Sequence, residues 1–398
     1  MRILFDMDKK DYNPDGKVFS RPSVRAVISR DGKVLLVYSK KYNYFKFPGG
    51  GIEEKESHSE ALAREVQEET GYRIIPDGVE EFGKVIRKQR DSLKPDCIFL
   101  QENYYYMCRI EEECGETRLD DYEAEEGFTP VWMDPFDASH CNRYCNSEDV
   151  DHDMVMREAR VLDLVDTELR KKSWEEHERE TINKLGNPEY AEMLKYVEGV
   201  LSEVPSERVE AKTSINYSRF EHIKHVLGWA KRLYDLADNK DELRYDDIMI
   251  ASIFHDVGRN VNIKGLSHAE AGIPLTREYL EKHGYPKERI EYICSLVGQH
   301  SDKWKMKNNQ DLDKNLLLLM EADLLDDMGA LGIIMDSMIV MKRNPEAVFK
   351  DCLNHIERFT YRQMQDNPMV SAAGIKLWNE KTALTNAFVE SLRADLIL

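Results

Sequence analysis

Three glutamates, Glu65, Glu68 and Glu69, stand three and four residues apart in the segment GGIEEKESHSEALAREVQEETGY, which runs from Gly50 to Tyr72. In a helix this spacing puts all three carboxylates on one face while Leu62 and Val66 turn toward a core. Carboxylates crowded in this way repel one another unless cations join them. Hard oxygen ligands suit Mg²⁺ or Mn²⁺, ions that also bind phosphate oxygens and activate water for attack on phosphorus. Most acidic runs are solvated helix faces; here the glycines, Arg64 and the spacing agree on more than that. Arg64 is placed to orient Glu56 or a neighbouring glutamate, and Gly50 and Gly51 allow close approach of the backbone to a substrate.

A second set of residues lies downstream. His255 and Asp256 end the apolar run IMIASIFHDVGR, where two adjacent polar side chains need a partner if buried. Imidazole with carboxylate suits Mn²⁺, Fe²⁺, Co²⁺, Ni²⁺ or Zn²⁺. The pair His152-Asp153, in the polar segment SEDVDHDM, shows that the dipeptide alone means little. Context separates the two: His222 lies upstream in FEHIKHVLGWA and Asp323 downstream in LLLLMEADLLDDMGA, both on apolar helical segments whose side chains can converge in a bundle. His225, three residues after His222, is an alternative ligand. His140, Cys141 and Cys145 form an incomplete zinc-like spacing, for which plain cysteine is the simpler account.

The elements that must position these groups are legible. Ser57 with Glu60 is a capping-box signature, so a helix is expected over 58–70, and Gly71 is suited to end it. Asp31-Gly32 between SVRAVIS and KVLLVYS signals a hairpin, and strands are expected near 79–88, 97–109 and 128–133. Residues 153–204 have apolar residues at helical spacing, suited either to packing on the flanking domains or to oligomerisation. Residues 216–398 read as helices separated by turns at Asn239-Lys240-Asp241, Gly284-Tyr285-Pro286, Asn344-Pro345 and Asn367-Pro368. The expected domains are therefore 1–140, α+β; 141–215, a helical linker; and 216–398, all-α.

The chain has 398 residues, enough for two or three domains, with 41% hydrophobic and 33% charged residues. Its formal net charge of -19 disfavours long nucleic acid as a partner and leaves small phosphorylated substrates compatible through bound cations. No stretch approaches the roughly 20 apolar residues of a membrane span, and the amino-terminal sequence lacks the apolar core of a secretion signal, so a cytoplasmic location is expected. Seven cysteines without regular spacing suggest reduced thiols. Tyr42, Tyr44 and Phe45, and Tyr104 to Tyr106, offer aromatic surface for a base, with core packing the blander role. The basic cluster Arg87-Lys88-Gln89-Arg90 suits phosphate contact and an exposed strand end equally.

Residues 50–72 fill every fixed position of the Nudix box, and residues 20–135 resemble Nudix hydrolases. The resemblance implies an α/β/α sandwich, Mg²⁺ or Mn²⁺ held by Glu65, Glu68 and Glu69, and cleavage of a nucleoside diphosphate linked to a moiety X. Glu68 and Glu69 are then candidate catalytic residues, and Gly50, Gly51 and Arg64 candidate substrate contacts. Family members often take a general base from a loop glutamate; Glu123, Glu125 and Glu126 are available, and Glu126 is favoured. Residues 216–335 resemble the HD superfamily of metal-dependent phosphohydrolases, whose ligand pattern matches His222, His255, Asp256 and Asp323. That resemblance implies a divalent transition metal, a role for Asp256 in positioning water, and a second metal ion if His268 and His300 join. Arg259 is a candidate phosphate contact. The combined expectation is a bifunctional hydrolase of small nucleotides, a pyrophosphohydrolase joined to a phosphomonoesterase. The alternative makes the first domain a nucleotide sensor that regulates the second. A homo-oligomer through the helical segments is a further expectation.

Overall fold

The computed structural model describes residues 1–91, 93–94, 96–145, 147–202, 219–261, 265–309 and 311–396. Residues 203–215 of the expected linker and the first three of the expected second domain lie outside them. The chain divides into two units, Met1–His177 and Glu178–Leu398.

The first unit contains β1 (Ile3–Asp8), β2 (Lys17–Ser20), β3 (Ser23–Val27), β4 (Ser29–Arg30), β5 (Lys33–Ser39), β6 (Tyr44–Lys46), α1 (His58–Thr70), β7 (Tyr72–Arg90), β8 (Cys97–Cys114), α2 (Asp121–Glu126), β9 (Phe128–Met133), α3 (Pro135–Arg143) and the start of α4 (His152–Asn183). In one sheet β7 and β8 form a long antiparallel pair, with β1 parallel to β7 and with β2 and β3 parallel to β8. In the other, β5 pairs antiparallel with β4, β6 and β9. The expected hairpin forms at Asp31 and Gly32, whose φ angles of 51° and 75° are the left-handed values that a two-residue turn demands.

Alternation along the strands feeds two apolar clusters. Leu35 joins Val24, Ala26 and Ile28 against Ala61, Leu62 and Val66 of α1. Val34 and Leu36 join Val27, Phe45 and Phe47 against Ala138 of α3 and Val161, Leu162 and Val165 of α4. Helices thus cover both sides of the strands, the α/β/α sandwich expected. Each fully buried aliphatic side chain contributes about 1.5–3 kcal/mol. Residues 141–177 differ from the expected linker: the amino-terminal half of α4 is part of this core. It also carries a buried ion pair between Arg157 and Glu158 at 2.8 Å. Glu158 accepts hydrogen bonds from the Phe47 amide at 2.9 Å and the Tyr105 hydroxyl at 3.0 Å, fixing the chain that leads into the glycine loop.

The second unit is helical: α5 (Glu189–Ser202), α6 (Arg219–Leu236), α7 (Tyr245–Phe254), α8 (His268–Lys282), α9 (Lys287–Gln299), α10 (Lys305–Asn308), α11 (Lys314–Leu325), α12 (Ala330–Arg343), α13 (Phe349–Ile356), α14 (Arg362–Gln365) and α15 (Ala372–Leu396). From Asp247 to Phe254 every residue of α7 is buried, which makes it the central helix. Met193, Leu194 and Val197 of α5 lie in the same core, so this part of the expected linker belongs with the helical unit. Buried Glu321 of α11 accepts hydrogen bonds from the amides of Val370 at 2.7 Å and Ser371 at 2.8 Å, at the chain entering α15.

Candidate functional site

Helix α1 runs from His58 to Thr70, with Ser57 and Glu60 forming the capping box and Gly71 closing it at φ 78°. Its Glu65, Glu68 and Glu69 line one cavity of about 360 Å³ together with Gly50, Gly51, Arg64, Arg118, Tyr122 and Glu123. A β-carbon on Gly50 would meet the Glu65 carboxylate, so the glycine lets that carboxylate rest directly on the loop backbone. Arg64 ties the face together: it contacts Glu56 at 2.9 and 3.0 Å, Glu65 at 2.8 Å, Glu68 at 3.3 Å and the Gly51 carbonyl at 3.2 Å.

Glu69 is 1% exposed and points inward. It accepts hydrogen bonds from the Lys46 ammonium at 2.7 Å and the Gly49 amide at 2.8 Å. Burial pushes its pKa up to about 7 against the opposing pull of Lys46. The three glutamates therefore share a cavity without forming a tight ligand cluster, because Arg64 and Lys46 lie among them. Their oxygen donors and the Gly50 cradle fit a hard divalent cation.

Glu126 does not line this cavity; its carboxylate accepts hydrogen bonds from Ser39 at 3.1 Å and Tyr44 at 3.0 Å. Glu123 does line it, 3.5 Å from Lys46. Burial works against its charge, but Lys46 and the Asp120 amide outweigh burial and hold its pKa below the usual value. Lys46 was missed from the sequence; its only signal is its place in the strand before the glycine loop.

The second centre draws its donors from several helices. His222 lies on α6, His255 and His300 at the ends of α7 and α9, His268 at the start of α8, and Asp323 on α11. His222 Nε2 is 3.2 Å from His255 Nε2 and 3.1 Å from Asp323 Oδ1. Asp256 Oδ1 is 3.2 Å from His268 Nε2 and 3.7 Å from His300 Nε2. Two ligand-capable groups result, His222-His255-Asp256 and Asp256-His268-His300, and a third joins His222 to Asp326 and Asp327. This mixed imidazole and carboxylate set fits divalent transition metals.

Electrostatics separate the imidazoles. Burial pulls His222 down, but Asp323 and Asp326 outweigh it and lift its pKa to about 9. Burial dominates at His255 and lowers it to about 4. Burial opposes the charge of Asp256, yet His300, His255 and Arg259 hold its pKa far below the carboxylate range. Arg259 sits 3.0 Å from His268 Nδ1. Lys303, absent from the sequence-based set, contacts Asp323 Oδ2 at 2.7 Å; its only sequence signal is its position three residues after His300.

The other candidates separate from these centres. Among the described residues, His140, Cys141 and Cys145 form no metal-capable group. His140 lies beside Phe136 and Tyr144. Arg87 and Lys9 pair with Asp153, and Arg87 also with Asp151, which accounts for that part of the basic cluster. His225 Nδ1 lies 3.3 Å from Asp326 Oδ1. Among the described residues no helix is long and apolar enough to cross a membrane.

The family model described as NUDIX domain matches residues 19–152, and that described as HD domain matches residues 219–328. The chain carries a NUDIX domain and an HD domain. An RNA pyrophosphohydrolase from Stenotrophomonas maltophilia strain K279a is 30% identical over 132 residues, 31% of this chain and 61% of that protein. The match thus spans less than two thirds of that relative's length. A CC-adding tRNA nucleotidyltransferase from Thermus thermophilus is 31% identical over 122 residues, 26% of this chain and 27% of that protein. A solved structure described as a predicted HD superfamily hydrolase, from an uncultured Thermotogales bacterium, is 17% identical, covering 52% of this chain and 93% of its own, with a TM-score of 0.36. The NUDIX match contains the α1 cavity, and the HD match contains all the imidazole and carboxylate donors of the second centre.

Proposed function

We propose that this protein is a two-centre hydrolase of small nucleotides. Its NUDIX domain cleaves the pyrophosphate bond of a nucleoside diphosphate linked to X, and its HD domain hydrolyses a nucleotide phosphomonoester. The observation that carries this reading is that each centre gathers ligand-type side chains, three carboxylates on one cavity at the first and metal-capable imidazole and carboxylate groups at the second, beside cationic side chains. Arg64 and Lys46 lie at the first, and Arg259 and Lys303 at the second.

Glu65, Glu68 and Glu69 would hold Mg²⁺ or Mn²⁺; His222, His255, Asp256 and Asp323 would hold a transition metal, with His268 and His300 available for a second ion. When bound, such ions supply Lewis acidity to phosphate oxygens and lower the pKa of a bound water. Arg64 keeps Glu56 and Glu65 oriented, and Glu123 takes the proton of the attacking water in place of Glu126. At the second centre Asp256 positions water, while Arg259 and Lys303 draw phosphate oxygens toward the imidazoles.

The domain limits we propose are those of the two compact units. The name of the Stenotrophomonas relative, an RNA pyrophosphohydrolase, adds RNA with a terminal pyrophosphate bond to the substrates worth testing, although the net charge of -19 disfavours long chains. The test is a panel of nucleotide sugars, dinucleoside polyphosphates, nucleotides and short 5′-triphosphorylated RNA, with Mg²⁺ and with Mn²⁺. Glu69→Gln is expected to lower pyrophosphohydrolysis by about 100-fold or more, and Asp256→Ala to do the same to phosphomonoester hydrolysis, each sparing the other activity. Retention of both activities in both variants would overturn the proposal.

A further inference from the structure

Each imidazole of the second centre must hold one ring nitrogen outward so that the other presents a lone pair inward. His255 and His300 do this at helix ends, with Nδ1 on the carbonyls of Ser252 at 2.8 Å and Val297 at 2.7 Å. His222 lies inside α6 and has a different partner: its Nδ1 is 2.7 Å from Asp326 Oδ2. Its Nε2 faces Asp323 and His255. Asp326 is 3% exposed and sits three residues after Asp323, so one turn of chain beyond α11 delivers both carboxylates to opposite nitrogens of one ring. No other histidine among His222, His255, His268 and His300 has a carboxylate on its Nδ1 among the described residues.

We infer that Asp326 is a positioning residue for the HD centre, holding His222 as the tautomer with hydrogen on Nδ1 so that Nε2 is free to bind a divalent cation. The inference rests on the reading that this centre holds a metal. A buried carboxylate behind the ring raises the basicity of the ligating nitrogen and restricts rotation of the ring. A neutral carbonyl, the partner of His255 and His300, does so more weakly. His222 is thereby the most strongly donating imidazole of the set.

The test uses the full chain carrying Glu65→Gln, Glu68→Gln and Glu69→Gln, so that metal uptake reports the HD centre. Mn²⁺ affinity is measured by titration calorimetry, and the visible absorption of bound Co²⁺ reports ligand geometry. Asp326→Ala is expected to weaken Mn²⁺ binding by about 10–100-fold and to shift the Co²⁺ bands. Asp326→Asn, which keeps an acceptor oxygen, is expected to weaken it less but measurably. Should the alanine variant fail to fold, the asparagine variant carries the test. Parent affinity and an unchanged Co²⁺ spectrum in the folded Asp326 variants, with binding lost in His222→Gln, would overturn the inference and leave the metal reading intact. Absence of Mn²⁺ and Co²⁺ uptake by the parent would overturn both.

Discussion

At the scale of single residues, the NUDIX centre turns on how one ammonium is shared. Lys46 Nζ lies 2.7 Å from Glu69, 3.5 Å from Glu123 and 4.2 Å from the Phe128 ring centroid, in a setting that excludes most water. A buried ammonium between two carboxylates keeps Glu123 ionised while Glu69 is pushed toward neutrality by its complete burial. Glu126, although only three residues later, spends its carboxylate on Ser39 and Tyr44. Glu123→Gln should therefore lower kcat of the proposed pyrophosphohydrolysis by about 100-fold, and Glu126→Gln by less than about tenfold. Steady-state kinetics on one accepted nucleotide would decide; a larger loss for Glu126→Gln would return the proton-accepting role to it. The sequence showed a loop glutamate to be available but not which one, because the choice depends on how α2 seats against β5 and β6.

At the scale of elements, α15 shows how a helix that supplies none of the metal-capable donors can still bear on the chain around them. Its amino-terminal entry is held by Glu321, and its Lys381 donates to the Met328 carbonyl at 2.9 Å. Burial lowers the Lys381 pKa to about 8, with Asp326 and Asp327 opposing. Because the folded value lies below the unfolded one of 10.5, the unfolded chain binds more protons between pH 8 and pH 10.5, and stability gains with rising pH across that window. Compared with Lys381→Met, the parent should gain on the order of 3 kcal/mol over the window, measured by urea unfolding at several pH values. A constant difference between parent and variant would show that Lys381 is not strained by burial. Helix α1 was readable to its last residue because its cap, face and stop are all local; the seating of α15 depends on Glu321, fifty residues away, and left no local trace.

At the scale of the molecule, the division falls inside α4, between His177 and Glu178. Val161, Leu162 and Val165 belong to the sandwich core, and Glu158 anchors Phe47 before the glycine loop. A fragment of residues 1–177 should thus fold and retain the NUDIX activity, whereas residues 1–151 should expose the α3 and α4 side of the core and aggregate or bind a hydrophobic dye. Circular dichroism and assay of both fragments test this. A well-folded, active 1–151 fragment would show that α4 is dispensable.

What the amino-acid sequence determined alone were the features whose physics is local: the capping box at Ser57, the Asp31-Gly32 turn, the carboxylate face of α1 and the succession of a mixed α/β region by a helical one. It also supplied His222, His255, Asp256 and Asp323 as candidates, since buried polar residues in apolar helices need partners, whereas His268 and His300 entered through the resemblance to the HD superfamily. Only the tertiary structure decided which distant groups share space. It put Lys46 on Glu69, chose Glu123 over Glu126 for the cavity, brought Lys303 to Asp323, and set Asp326 behind His222. These pairings form across tens of residues and are fixed by helix and strand packing, which no window of sequence contains.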